Sequence, residues 1–231
     1  MSRRVIAALV LLNAALLANF GNAASAEENP VYYPKKWPQN SNVSYTIDND
    51  VPELFRDAMK NGLAKWSDRA AGRGPNFVYD GISNGDARTD ACAGPNALFM
   101  REDVAGFFDL EGGTLLGVTR RCAPNQAILR FVIVFERTPT FAGGTGWYAG
   151  ADQPAEKKWD LRSTATHEAG HATGFEGHFR GPRDPQTICK IPSDDFLPTM
   201  CDGRRDTLGT TWLRSLEGRD YDEIQDAYPP P

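Results

Sequence analysis

The histidines of this chain lie in one short segment. The sequence of 231 residues contains only three, His167, His171 and His178, all within residues 164–179, T-A-T-H-E-A-G-H-A-T-G-F-E-G-H-F. Histidines that serve only general packing would be scattered along the chain. The cluster therefore indicates a site that uses imidazole nitrogens together.

The spacing of the first two histidines favours a metal site on a helix. His167 and His171 are four positions apart, so a helix through residue 173 projects both from one face. Two imidazoles one turn apart can bind the same metal ion, and Glu168 projects about 100° away, where a general base beside the metal is expected. Gly174 predicts the end of the helix, because glycine adopts the left-handed conformation of a C-cap without steric strain.

The third histidine follows the predicted end of this helix. From a loop, His178 can turn back to the same metal as a third nitrogen ligand and leave the fourth tetrahedral position to water. An open position of this kind is typical of catalytic zinc. Glu176 is an alternative ligand from the same loop. A surface helix that carries H-E-x-x-H by accident is the structural alternative, but the added glycine and third histidine favour zinc.

The motif resembles that of a known family. H-E-A-G-H-A-T-G followed by a histidine is similar to H-E-x-x-H-x-x-G-x-x-H, the zinc signature of metzincin metallopeptidases, especially the secreted matrixin-like and snapalysin-like enzymes. The signature places its third ligand at the position of Gly177, and His178 stands one residue later, as after a one-residue insertion. The resemblance implies one catalytic Zn²⁺ bound by His167, His171 and His178, with Glu168 as the general base of peptide hydrolysis.

Two downstream segments extend the resemblance. Residues 197–203, L-P-T-M-C-D-G, are similar to the Met-turn of metzincins, which implies that Met200 packs beneath the metal without binding it. Residues 215–228 resemble the closing helix of matrixins. The sequence D-Y-D-E from Asp220 to Glu223 is also typical of a capping box, so we expect a helix from Asp220 through Tyr228. The motif resemblance thus covers residues 160–228.

Two other functions stay open. A metzincin-like fold can act as a binding module without catalysis, although the intact Glu168 argues against that interpretation. A zincin of another subclass takes its third ligand from a glutamate on a later helix, such as Glu217 or Glu223. Zinc binding that survived substitution of His178 would favour that subclass.

The pattern of elements predicts an α/β (α+β) domain. Alternation of Val43, Tyr45 and Ile47 with polar residues indicates a half-buried strand, and D-V-P-E at residues 50–53 opens a helix to about Ser67. Four further strands are expected at residues 76–79, 97–100, 114–119 and 127–136. With the resemblance, we expect a zincin-like fold: a twisted, roughly five-stranded mixed sheet, two long helices of which one bears the zinc motif, and a small C-terminal subdomain with the Met-turn and terminal helix.

One strand has a functional expectation of its own. By the architecture of the family, the strand at residues 114–119 forms the exposed edge of the sheet and pairs with an extended peptide or protein substrate. The residues assigned to this substrate edge are Leu115, Leu116, Gly117 and Val118.

Calcium is a separate question. Matrixins commonly bind calcium, and Asp152 and Asp160 are candidate ligands. Two carboxylates without an ordered series of further ligands do not decide the matter, so Ca²⁺ is left open.

The N-terminal residues indicate export. Arg3 and Arg4 precede a mostly apolar stretch at residues 5–17, and A-S-A at residues 24–26 fits a cleavage site, so residues 1–26 are predicted to be a signal peptide. We expect a secreted, extracellular monomer, in which a polar lead-in at residues 27–40 precedes one domain at residues 41–231. The interleaved charges, with a net charge of −5, provide no basic surface for nucleic acid, and no later segment could span a membrane.

The cysteine content agrees with export. Four cysteines make an even set, which in an exported chain predicts two disulfides. Cys92–Cys122 and Cys189–Cys201 are the favoured pairs, since each closes a short, loop-rich segment. The other two pairings stay open on sequence alone.

Overall fold

A computed structural model describes residues 35–69, 73–110, 115–177, 199–200, 209–216 and 218–229. Several predicted features lie outside these ranges. They are the signal peptide at residues 1–26, His178, Cys189, Cys201 and Glu217.

The described residues contain a five-stranded mixed sheet, as the sequence predicts. Its strands are β1 (Asn42–Asp48), β2 (Asn76–Ser83), β3 (Ala97–Arg101), β4 (Gly117–Cys122) and β5 (Arg130–Glu136). Their order in the sheet is β2-β1-β3-β5-β4, and all neighbours are parallel except the antiparallel pair β4 and β5. The apolar β5 is buried between β3 and β4, and β4 forms an edge.

The edge strand begins later than predicted. It runs over Gly117–Cys122, so Leu115 and Leu116 precede it rather than belong to it. The two leucines are partly buried against different apolar clusters, one on each face of the sheet. The two leucines are therefore apolar because they pack against these clusters, not because they belong to the strand. The polar residues T-R-R that follow pair with β5. They can be polar because an edge strand keeps part of its surface in solvent.

Two long helices cover the inner face of the sheet, as expected. They are α1 (Glu53–Arg69) and α3 (Leu161–Thr173), and the short α2 (Val104–Phe107) lies between them in the chain. Their backbones approach closely, because a Cβ at Gly62 of α1 would lie 2.6 Å from the Cβ of Ala165 in α3. The Trp66 indole N–H also donates to the Thr166 carbonyl at 2.7 Å. This contact fixes α3, which carries the histidines, against α1.

A smaller apolar cluster covers the outer face of the sheet. It contains Phe99, Val132 and Val134 from the strands and Val104 and Phe108 from the segment around α2. The predicted disulfide Cys92–Cys122 is present and ties the segment that precedes β3 to the end of β4. The second predicted pair, Cys189–Cys201, lies outside the described residues.

The C-terminal helix, α4, starts earlier than the sequence pattern indicates. It spans Gly218–Ala227, so Asp220 lies in its first turn and is fully buried instead of serving as its N-cap. A two-stranded parallel sheet of β6 (Trp147–Tyr148) and β7 (Trp159–Asp160) precedes α3. No helix in the described ranges is long and apolar enough to cross a membrane.

Candidate metal centre

Helix α3 presents two histidines side by side. It starts at Asp160, whose carboxylate accepts from the Ser163 backbone N–H at 2.9 Å, and ends at Gly174, which has a φ of 129°. The end at Gly174 agrees with the sequence prediction. The rings of His167 and His171 lie edge to face with centroids 5.1 Å apart. The four-residue spacing therefore brings the imidazoles together as predicted.

Backbone carbonyls orient both rings. The Nδ1 atom of His167 lies 2.8 Å from the Thr199 carbonyl oxygen, and that of His171 lies 3.0 Å from the Phe175 carbonyl oxygen. A carbonyl can only accept, so each Nδ1 is the donor, and in the neutral imidazole the lone pair is then on Nε2. This is the tautomer that binds a metal through Nε2, with the second nitrogen held by an outer hydrogen bond.

Glu168 lies beside the histidine pair and is almost fully buried, with 6% of its surface exposed. The Thr119 hydroxyl on β4 lies 2.7 Å from its Oε2. The other oxygen, Oε1, faces Gly117, where a Cβ would come within 3.2 Å of it. Burial raises the pKa of the Glu168 carboxyl, while attraction to His167 and the Thr119 hydrogen bond lower this pKa. Because the burial effect is the largest, the carboxylate is a stronger base than in water.

Met200 packs under α3, where the sequence prediction puts it. Its side chain is fully buried. A Cβ at Gly170 would overlap the Met200 sulfur and would lie 2.7 Å from the Trp66 ring. Gly170 directly precedes His171, so the absence of a side chain there lets Met200 pack against the helix next to this histidine.

The turn that contains Met200 is held by a residue that the sequence interpretation missed. Asp220 accepts from the Thr199 N–H at 2.7 Å and from the Met200 N–H at 3.3 Å. The Thr199 hydroxyl donates to the Ser215 carbonyl at 2.8 Å. The D-Y-D-E pattern pointed to helix capping, and no local signal indicates a contact some twenty positions away.

The N-terminus of α3 is tied to the C-terminal part of the chain. The fully buried Asp160 carboxylate pairs with the Arg214 guanidinium through N–O distances of 2.9 and 2.6 Å. Arg214 also donates to the carbonyls of Gly150 and Ala151. The Ser163 N–H and Arg214 together bind both oxygens of Asp160, so this residue caps the helix and anchors it to Arg214.

The C-terminus of α3 is capped from both ends of the described chain. The Trp37 indole N–H donates to the Ala172 carbonyl at 2.8 Å, and the Tyr228 hydroxyl donates to the Thr173 carbonyl at 2.7 Å. These carbonyls belong to the last turn, whose acceptors have no partner within the helix. The part of the predicted lead-in that the structure describes is thus packed against α3.

The described residues supply two of the three predicted ligands. His178 lies outside the described ranges, and within those ranges no three His, Cys, Asp or Glu side chains are grouped to hold a metal. Glu176, the alternative from the same loop, is half exposed and lies 3.6 Å from the Arg121 guanidinium. The two imidazole nitrogens and the adjacent carboxylate nevertheless suit zinc, which takes nitrogen ligands from histidine.

Comparison with models of known protein families finds no match for this chain, and comparison with curated proteins finds no significant relative. The metzincin resemblance therefore rests on the motif residues alone.

Proposed function

We propose that this chain is a secreted, zinc-dependent endopeptidase with a zincin-like, metzincin-type catalytic domain. The observation that carries the proposal is the pair His167 and His171, each with Nδ1 held by a backbone carbonyl, beside the buried Glu168. Two oriented imidazoles next to a buried carboxylate suit metal-assisted hydrolysis. The signal-like N-terminus and the disulfide Cys92–Cys122 support export.

His167 and His171 would hold the metal from α3, and His178 would complete the set. When bound, zinc supplies a Lewis acid that acidifies a water ligand and polarises the scissile carbonyl. The hydrogen bonds at Nδ1 favour the tautomer of both rings that binds a metal through Nε2. The bonds to Thr199 and Phe175 also fix the direction in which each Nε2 points.

Glu168 is the proposed general base and then acid. Its Oε2 is fixed by the Thr119 hydroxyl, which leaves Oε1, the oxygen that faces Gly117, to accept the proton of the attacking water. The same carboxyl then delivers this proton to the leaving amine. Burial favours proton uptake because it raises the pKa of the carboxyl.

The edge strand β4 is the proposed docking site for substrate. Its outer edge is unpaired in the described sheet, so an extended peptide can add there through backbone hydrogen bonds. Gly117 and Thr119 of β4 both lie against Glu168. A peptide paired with β4 would therefore pass beside the proposed base. Pairing through the backbone accepts many sequences, as suits an endopeptidase.

Substitution of Glu168 tests this function. The purified secreted protein is expected to contain one zinc per chain and to hydrolyse casein, with activity lost on chelation and restored by added zinc. Glu168→Gln should keep its zinc and lose about 100-fold or more of kcat/KM, because general base catalysis contributes roughly that factor. Glu53→Gln, which makes the same change at an exposed position, is the matched control.

Two results would overturn the proposal. If the wild-type protein bound no zinc, the proposed metal would be wrong. If Glu168→Gln were fully active, the proposed general base would be wrong. Zinc binding without any hydrolysis would favour the binding module instead.

A further inference from the structure

One peptide group connects a buried carboxylate with a histidine of the candidate metal centre. The group joins Thr199 to Met200. Its carbonyl oxygen accepts from His167 Nδ1 at 2.8 Å, and its N–H donates to Asp220 Oδ1 at 3.3 Å. The carboxylate and the imidazole thus bind opposite ends of the same amide.

The surroundings hold this connection firmly. Asp220 Oδ2 accepts from the Thr199 N–H at 2.7 Å, so the carboxylate accepts hydrogen bonds from two successive peptide groups. Asp220, Thr199 and Met200 are all fully buried, and the Thr199 hydroxyl is anchored on Ser215. Water does not screen a charge in such a position, so its effect on neighbouring hydrogen bonds is larger than at the surface.

Asp220 lies in the first turn of α4, at the end of the helix where the helix dipole favours a negative charge. The sequence pattern fits an N-cap at this residue, but α4 begins two residues earlier. Both oxygens of the carboxylate accept hydrogen bonds from the Thr199–Met200 turn.

We propose that Asp220 is a positioning residue that strengthens His167 as a metal ligand through the Thr199–Met200 peptide group. The inference rests on the proposed zinc function. A carboxylate bound to the N–H of an amide polarises the amide and places more negative charge on its carbonyl oxygen. That oxygen then holds the Nδ1 proton of His167 more strongly, which fixes the tautomer and makes Nε2 a better donor. Metal-binding histidines often bind a carboxylate directly, and here a peptide group stands between the two.

The test uses Asp220→Asn, which removes the charge with little change in size. Asp222→Asn, an exposed position two residues later on α4, is the matched control. Asp220→Asn is expected to weaken zinc binding about 10-fold to 100-fold in a chelator competition, the usual effect of losing an outer partner of a ligand. Asp222→Asn should bind zinc as the wild type does.

A second readout needs no metal. Histidine labelled with ¹⁵N gives a simple NMR spectrum, since the chain has only three histidines. In the zinc-free wild type, the Nδ1 proton of His167 should resonate further downfield than that of His171, whose hydrogen bond is longer. Asp220→Asn should move the His167 signal upfield. This wild-type comparison tests the proposal even if the variant does not fold.

Thr199→Val separates the proposed effect of Asp220 on His167 from a purely structural role. This variant removes the hydrogen bond to Ser215 but leaves the carboxylate, the peptide group and the imidazole in place. This variant should lower thermal stability and leave the His167 signal unchanged. The proposal is wrong if Asp220→Asn folds with an unchanged His167 signal and unchanged zinc affinity. It is also wrong if, in the wild type, the Nδ1 proton of His167 does not resonate further downfield than that of His171. The same holds if Asp220→Asn and Thr199→Val weaken zinc binding only in proportion to their loss of stability. A wild type that shows the expected proton signals but binds no zinc would instead refute the proposed function.

Discussion

Hydrogen bonds decide which atom of each side chain is available for chemistry. Carbonyl oxygens of Thr199 and Phe175 hold the Nδ1 atoms of the two described histidines. The Thr119 hydroxyl lies on one oxygen of Glu168. The atoms that the proposed chemistry would use are therefore selected by partners from β4 and from two turns, not by the motif residues alone.

Thr119→Val should separate positioning of the base from metal binding. Valine keeps the shape of threonine but cannot donate to Glu168, so the carboxylate loses a fixed orientation. We expect kcat to fall about 10-fold with little change in KM or zinc content, since general base catalysis depends on geometry. Thr119→Ser, which keeps the hydroxyl, should restore most of the activity. Steady-state kinetics and metal analysis provide the measurements, and an unchanged kcat in Thr119→Val would exclude this role.

His178→Ala tests the predicted third ligand. If His178 completes the set, the variant should lose both bound zinc and casein hydrolysis, because two histidines alone leave the site short of a protein ligand. Metal analysis beside an activity assay gives the answer. Glu176→Gln is the companion variant, since loss of zinc there would assign the ligand to Glu176. Zinc retained at wild-type affinity in both would favour Glu217 or Glu223.

At the scale of elements, α3 is held from below and at both ends. Met200 and Trp66 lie against Gly170, and the ion pair of Asp160 with Arg214 anchors the N-terminus. The ends of a helix leave backbone groups without partners inside the helix, so their satisfaction by distant residues fixes its position. A helix fixed in this way can present two histidines without adjustment.

Gly170→Ala tests the packing beneath α3. Alanine in the middle of a helix normally stabilises it by about 1 kcal/mol relative to glycine. Here the added Cβ would overlap Met200 and come within 2.7 Å of Trp66, and overpacking costs about 1 to 3 kcal/mol. We expect the clash to exceed the helix preference, so that the free energy of unfolding in urea falls. Gly85→Ala, whose Cβ meets only Phe99 at 4.0 Å, should be nearly neutral. Equal stability of the two variants would contradict the described packing.

At the scale of the whole molecule, the two ends of the described chain meet at the C-terminus of α3. Lys36 donates to the Ala227 carbonyl at 2.8 Å, and the Trp37 backbone N–H donates to the Tyr228 hydroxyl at 3.2 Å. Because β4 of the sheet also contacts Glu168, the candidate metal centre depends on residues from the sheet and from both ends of the described chain.

Trp37→Phe tests the contact of the two ends of the described chain with the C-terminus of α3. Phenylalanine keeps an aromatic ring in the core but removes the indole N–H that binds the Ala172 carbonyl. We expect a loss of about 1 to 3 kcal/mol in the free energy of unfolding, because a buried carbonyl is left without this donor. A double-mutant cycle with Tyr228→Phe, measured by urea unfolding, should give a coupling energy between the two caps. If the two substitutions changed the free energy of unfolding in a strictly additive way, Trp37 and Tyr228 would not act together at this helix end.

Local signals allowed part of this structure to be predicted. Gly174 marks the end of α3, the histidine spacing sets its face, and the alternation in β1 marks a strand. The start of β4 was predicted too early, because leucines that pack before a strand resemble leucines within one. The pair β6 and β7 was missed, since two-residue strands carry too little pattern.

The sequence by itself predicted the cluster of His167, Glu168 and His171, the helix that bears them, a sheet of about five strands, and Cys92–Cys122 as a favoured cysteine pair. These depend on periodicity, capping and spacing, which operate over a few residues or follow from the cysteine content. Only the tertiary structure decided that Thr119 contacts Glu168 and that Asp220 binds the turn at Met200. Such contacts join residues far apart in sequence, and they form because buried polar groups need partners wherever the fold can supply them.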